Sequence, residues 1–191
     1  MTDSNTQRMI DNTRLLIEAQ QGNTESFGQL YEQYAQQVYR YLYVNLHDQM
    51  DAEDLTEEVF LRAWKFLPNY RHQGVPFLSY LFQIARNALI DHYRRSKSST
   101  QHVELLEEII DDQHQDPSST ASERIEREEV LKYLDKLNED YRNVLIFRFL
   151  SDLSPSETAV VMGKTLGAVR VLQHRALAAL RKILEVNIIF L

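Results

Sequence analysis

The stretch Leu153-Ser154-Pro155-Ser156-Glu157-Thr158-Ala159-Val160-Val161-Met162-Gly163-Lys164-Thr165-Leu166-Gly167-Ala168-Val169-Arg170-Val171-Leu172-Gln173-His174-Arg175 reads as a helix, a tight turn and a second helix. Ser154 can cap the first helix, Pro155 fits a first helical position that needs no N–H, and Glu157 can bond back to the cap. Counted from Pro155, the fifth residue is Ala159, the ninth Gly163 and the fifteenth Val169. The fifth must be small because the second helix crosses over it. The ninth favours glycine because the turn takes a positive φ. The fifteenth is apolar and points inward. Thr165 can cap the second helix, after which Leu166, Val169, Leu172 and Ala176 face the core at helical spacing. The other face carries Gly167, Ala168, Arg170, Val171, His174 and Arg175. Small and basic residues facing outward suit a DNA major groove, although an ordinary helical hairpin with a solvated basic face has the same residue types.

The other residues of the chain fit a helical protein. Its 191 residues include five glycines and four prolines, and apolar residues recur mostly at helical spacing. The predicted fold class is all-α, with two small helical domains. Cysteine is absent, which excludes disulfides, thiol catalysis and Cys-based zinc sites. No apolar run is long enough to span a membrane, and the polar start Met1-Thr2-Asp3-Ser4-Asn5 is no signal peptide. A cytoplasmic protein with no direct membrane insertion is expected. The six histidines show no two-turn ligand spacing, and no Gly-rich phosphate loop appears. Glu57 and Glu58 are adjacent and diverge by about 100° on a helix, unlike a converging catalytic pair. Neither an enzyme nor a cofactor or metal site is predicted.

The net charge is −7, which looks wrong for a DNA binder until it is divided along the chain. Residues 101–130 hold ten acids and two arginines, a balance of −8. Residues 141–182 hold seven Lys/Arg and two acids, a balance of +5. Phosphate contacts need only a local basic face. The overall acidity predicts weak DNA binding by the free chain, with a partner supplying affinity.

Along the chain, residues 1–8 are polar and expected to fray, and a short helix is predicted over 9–21. Gly22 ends it, and Phe27, Leu30, Tyr31, Tyr34, Val38 and Leu42 mark one face of a long helix. Asp48, Asp51, Glu53 and Asp54 then crowd a helix start, where the dipole favours acid. The apolar face of that helix is Leu55, Val59, Phe60, Ala63, Trp64 and Leu67. Its other face shows Asp54, Glu57, Glu58, Leu61, Arg62 and Lys65, either a solvated surface or a docking surface with Leu61 as an apolar spot. Pro68 ends the helix. The loop Asn69-Tyr70-Arg71-His72-Gln73-Gly74-Val75-Pro76 mixes an aromatic, amides and a base, types that can hold an unstacked nucleobase. The next helix, from Phe77 to about Arg95, carries Arg86, Asn87, Asp91, Arg94 and Arg95 outside its apolar stripe. Helix-dipole compensation explains Arg94 and Arg95 but not Arg86 and Asn87 in mid-helix.

Ser96-Lys97-Ser98-Ser99-Thr100 marks a domain boundary, followed by an acidic linker to about Ala121. Glu104 to Asp112 is expected to fold back on the basic C-terminal face in the free protein. A helix near 122–137 precedes another, capped by Asn138, with Val144, Leu145, Phe149 and Leu150 inward.

Asp51-Ala52-Glu53-Asp54-Leu55-Thr56-Glu57-Glu58-Val59-Phe60-Leu61-Arg62-Ala63-Trp64 resembles the small extracytoplasmic-function (ECF) class of bacterial RNA polymerase sigma factors. The likeness continues through Pro76-Phe77, Ile84-Ala85-Arg86-Asn87 and Asp91 to Arg94-Arg95. It resumes from Leu134 through Tyr141-Arg142 to Leu180-Arg181. The resemblance implies a region 2-like domain over 1–95, a linker over 96–121 and a region 4-like helix-turn-helix domain over 122–191. It implies core RNA polymerase (β′ clamp helices and β flap) and promoter DNA as partners, with an anti-sigma factor a further one. Asp54, Glu57, Glu58, Leu61 and Arg62 would dock on polymerase. Tyr70, Arg71, His72, Arg86, Asn87, Arg94 and Arg95 would bind and melt the minus-ten element. Lys164, Thr165, Ala168, Arg170, Val171, His174 and Arg175 would read the minus-thirty-five element. The family usually has Ile at Thr158, often Trp at Tyr80, and a polar residue at Val171. The rival reading is a helix-turn-helix regulator that acts without polymerase; it leaves the acidic Trp helix without work.

Overall fold

The computed structural model describes residues 3–71, 76–99, 130 and 132–188. Their regular structure is all helical, with no strand among them. The chain divides into two compact units, Met1–Lys97 and Ser98–Leu191.

The first unit holds α1 (Asp3–Gln20), α2 (Thr24–Leu46), α3 (Gln49–Phe66) and α4 (Phe77–Ser99). Local chemistry sets most of its joints. Helix α1 begins at Asp3, within the stretch expected to fray, since no Gly or Pro interrupts it. Gly22 turns the chain at φ 94°. The Asn23 side chain accepts the Ser26 N–H at 3.0 Å, a cap worth about 1 kcal/mol. His47 closes α2 in the left-handed region at φ 56°, its N–H bonded to the Tyr43 carbonyl. Asp48 then caps α3 by accepting the Asp51 N–H at 2.8 Å. A 3-10 turn, Leu67–Asn69, carries Pro68 past the end of α3. Helix α4 runs on to Ser99, past Ser96, because serine and lysine do not stop a helix as Gly or Pro would.

The core of this unit is Leu15, Leu16 and Ala19 of α1; Leu30, Val38, Tyr41 and Leu42 of α2; Val59, Phe60 and Ala63 of α3; and Leu81, Phe82, Ala85 and Ala88 of α4. Tyr31 is 40% exposed, not inward as the spacing predicts. The buried line of α2 passes through Leu30, Tyr34, Val38, Tyr41 and Leu42 and leaves Tyr31 beside it. Tyr31 and the half-buried Phe27 instead roof α3, with ring centroids 4.7 Å from Phe60 and 4.8 Å from Trp64 respectively. Trp64 is accordingly half-buried as well.

In the second unit, residues 132–135 are helical and Leu134 and Leu137 are buried, while Val130 is exposed. Asn138 caps α5 (Glu139–Leu145) by accepting the Tyr141 N–H at 2.9 Å. Helix α5 widens into a π-helical turn, Ile146–Leu150, and α6 (Pro155–Met162) and α7 (Leu166–Ile188) follow. The π turn overturns one expectation. Phe149 and Leu150 are exposed, and Ile146 and Phe147 take the core in their place. The Ser151 N–H reaches back five residues to the Ile146 carbonyl at 2.9 Å, which rotates the register that an α-helical count assumes. The predicted fold-back of Glu104 to Asp112 falls outside the described residues, as does nearly all of the linker.

The helix-turn-helix forms as its sequence dictates. Ser154 Oγ accepts the Glu157 N–H at 3.2 Å, and Glu157 Oε2 accepts the Ser154 N–H at 2.5 Å. Gly163 sits at φ 62°, and the Lys164 N–H bonds to the Ala159 carbonyl at 2.9 Å, which closes α6. Ala159, Val169 and Ala176 are buried where the helices cross. Leu166 is 39% exposed rather than inward; as the first residue of α7 it lies ahead of the crossing. Thr158 is fully buried, and its hydroxyl donates to the Ser154 carbonyl at 2.9 Å. A polar residue is tolerated there because it is hydrogen-bonded.

Candidate functional site

Helix α3 presents one continuous outward stripe. Met50, Asp54, Glu57 and Leu61 follow at intervals of four, three and four residues, and all are exposed. Met50 is 76% and Leu61 68% exposed. Two apolar side chains this open flank two carboxylates, so the stripe is acidic at its middle and apolar at both ends. Met50 was missed in the sequence, although it lies one turn before Asp54 on the same face.

Glu58 and Arg62 are not on that stripe. They face α4 and join a charged network with it. Arg62 pairs with Glu58 within α3, and its Nη1 lies 3.7 Å from Asp91 Oδ2. Asp91 Oδ1 is 3.6 Å from Arg94 Nη1, and Glu58 Oε2 is 3.8 Å from Arg95 Nη2. Residues expected at two different interfaces therefore share one set of ion pairs. Next to Asp91 in the chain, the ring of His92 sits 3.5 Å from Asp51. Partly exposed pairs of this kind contribute under about 1 kcal/mol each, so the network positions side chains more than it holds the fold. Asn87 is exposed and Arg86 half-buried. The buried Nε of Arg86 has no hydrogen-bond partner among the described residues.

Tyr70 is half-buried at the start of the loop. Its ring lies 4.8 Å from Tyr80 and 5.7 Å from Phe77. Gln20 of α1, unremarked in the sequence, donates from Nε2 to the carbonyls of Tyr70 at 2.7 Å and Leu67 at 3.2 Å. Burial raises the phenol pKa of Tyr34, Tyr70 and Tyr80 above its ordinary value. The Tyr70 hydroxyl has no hydrogen-bond partner among the described residues. Arg71 is exposed, and His72 falls outside the described residues.

In the second unit Gly167, Ala168, Arg170, Val171, His174 and Arg175 are all exposed along α7. Thr165 Oγ1 accepts the Ala168 N–H at 3.2 Å and so caps α7. Lys164 Nζ lies 3.0 Å from Asp140 Oδ2 on α5, which pulls that base toward its own unit. Arg148, on the π turn, fixes the two helices. It donates to the Leu153 carbonyl ahead of α6 and, from Nε, to Gln173 Oε1 of α7 at 3.0 Å. No sequence periodicity points to this brace, because it joins residues 25 apart through the π turn.

Among the described residues no group of His, Asp and Glu could hold a metal ion, and no helix is long and apolar enough to cross a membrane. The fold and its surfaces define a two-unit helical protein with an exposed acidic stripe on one unit and a basic helix-turn-helix on the other. Residues 30–99 match Sigma-70 region 2, and residues 127–180 match Sigma-70, region 4. The chain is 38% identical to the ECF RNA polymerase sigma factor BldN of Streptomyces coelicolor over 185 residues, 95% of this chain and 68% of that protein. It is 33% identical to the ECF RNA polymerase sigma factor SigM of Bacillus subtilis over 135 residues, 70% of this chain and 80% of that protein. The fold is shared with the sigma factor RpoE from Bartonella quintana, solved in complex with the anti-sigma factor NepR. The TM-score is 0.67 at 21% identity, covering 85% of this chain and 98% of that one. The chain belongs to the ECF sigma factors of RNA polymerase. It is a sigma factor of promoter-directed transcription initiation, in a family that is not an enzyme family.

Proposed function

We propose that the chain divides this work between its two units. The first, over 1–95, docks on the β′ clamp helices of core RNA polymerase through Asp54, Glu57 and Leu61, with Met50 extending the same stripe. Glu58 and Arg62 flank that contact and connect it to α4. Tyr70, Arg71, His72, Arg86, Asn87, Arg94 and Arg95 engage the minus-ten element as it opens. Opening costs unstacking, which is offset by holding flipped bases, so binding energy suffices and no catalytic group is required. The second unit, over 122–191, reads the minus-thirty-five element as duplex through Ala168, Arg170, Val171, His174 and Arg175 and lies against the β flap. Lys164, paired with Asp140, and Thr165, capping α7, hold the turn beside the DNA backbone. The acidic segment 96–121 joins the two. All of this takes place where polymerase works, in the cytoplasm. An anti-sigma factor would act by covering the same two faces.

The observation that carries this reading is the outward face of α7. Basic and apolar side chains are exposed together on the second helix of a fully capped helix-turn-helix. The test is co-purification of the full chain with bacterial core RNA polymerase. Wild type is expected to bind, and Asp54→Lys/Glu57→Lys to lose most of that binding while keeping its helical content. Equal recovery of both would place the docking surface elsewhere. Failure of wild type to bind, with DNA bound by a dimer of the free chain, would favour the polymerase-independent regulator.

A further inference from the structure

The exposed face of α7 has an apolar spot amid its bases, and it falls where base edges would be read. Val171 is 51% exposed. Gly167 and Ala168 lie one turn before it, and His174 and Arg175 one turn after, all exposed. These are the first turns of the helix, the part of a recognition helix that meets bases. Gly167, Ala168 and Val171 offer no side-chain hydrogen bond. In the major groove the edges of all four bases carry hydrogen-bonding atoms, and thymine alone adds a methyl group. Covering a polar edge with Val171 would strand that edge without a partner, whereas covering a methyl removes two apolar surfaces from water.

Gly167 supports the same conclusion independently. A glycine inside a helix is destabilising relative to alanine. Its φ lies outside the left-handed region, and a Cβ there would meet nothing within 4 Å. The fold of the unit does not require glycine at this position, but close approach of another molecule would. Gly28 in α2 is equally unforced, yet it stands beside Glu25, Tyr31 and Glu32. The coincidence of an unforced glycine with exposed Val171 and flanking bases singles out α7.

We infer that Val171 is a specificity-determining residue that reads the C5-methyl of a thymine in the minus-thirty-five element. Arg170, His174 and Arg175 supply phosphate and base contacts around it, and Gly167 lets the helix lie close enough for the methyls to touch. This rests on the proposed role of α7 as the minus-thirty-five reader.

The test uses holoenzyme assembled from the full chain and bacterial core RNA polymerase. Bound duplexes are selected from a library randomised upstream of the start site. Wild type should enrich thymine at one position of the upstream element, and Val171→Ser should lose that preference while keeping the others. Replacing that thymine by uracil, which lacks only the methyl, should weaken wild-type binding about three- to fivefold and leave Val171→Ser unaffected. The uracil arm uses unaltered protein, so misfolding cannot account for it. A selected element whose affinity ignores the thymine-to-uracil change would overturn the methyl readout and leave the helix as the reader. A library from which wild type enriches no upstream element would overturn both.

Discussion

Tyr70, proposed to engage the minus-ten element, is also packed into the fold of its unit. Its ring is wedged between Tyr80 and Phe77, and its buried hydroxyl has no partner among the described residues. A buried, unbonded hydroxyl is a cost that phenylalanine would avoid. Tyr70→Phe is therefore expected to leave stability at neutral pH unchanged or slightly raised. The pH dependence carries a definite sign. The folded phenol has a pKa above the ordinary 10.0, so its contribution is fully present below pH 10 and is lost as pH rises through the folded value. Urea titrations at pH 7 and above pH 10 should show wild type losing more stability with alkali than Tyr70→Phe. Identical losses would mean that burial of this phenol does not contribute. Positions of this scale were legible in the sequence where the chemistry is local. Ser154, Gly163 and Thr165 were placed correctly because a cap or a positive φ is decided within a few residues. Tyr31, Leu166 and Phe149 were not, because exposure depends on which neighbours arrive and on a π turn that no residue type announces.

Between elements, the sequence assigned Glu58 and Arg62 to one surface and Arg94 and Arg95 to another, and α3 and α4 bring them together around Asp91. Spacing along a helix shows which residues share its face, but not which residue of the next helix will oppose them. The network also sets an expectation for DNA. Asp91→Asn removes one charge from beside Arg62 and Arg94 and deletes no apolar contact. It should move the denaturation midpoint little, since pairs of this exposure contribute under about 1 kcal/mol. It should tighten binding of single-stranded DNA by holoenzyme, most of all at low salt, because an acid near the phosphates is gone. Fluorescence anisotropy across a salt series reads this directly. Weaker binding at every salt would mean that Asp91 organises the arginines for DNA and does not restrain them.

For the molecule as a whole, a net charge of −7 and a basic α7 are compatible because acid and base are segregated along the chain. The all-α class and both helical units were legible from periodicity and caps. The family likeness is carried by the acidic motif of α3 that ends at Trp64, and the matched segments 30–99 and 127–180 agree with it. What sequence could not give was the brace from Arg148 to Gln173 or the clamp of Gln20 on the loop, since both join residues far apart in the chain. In the proposed role this chain opens promoters only as a subunit of polymerase. The most direct measurement is run-off transcription from fragmented genomic DNA of the source bacterium by core RNA polymerase with and without the full chain, with start sites mapped. The predicted result is a discrete set of new starts, each preceded by one shared pair of upstream elements and absent with Asp54→Lys/Glu57→Lys. Transcription unchanged by the chain, alongside specific DNA binding in the absence of polymerase, would contradict it.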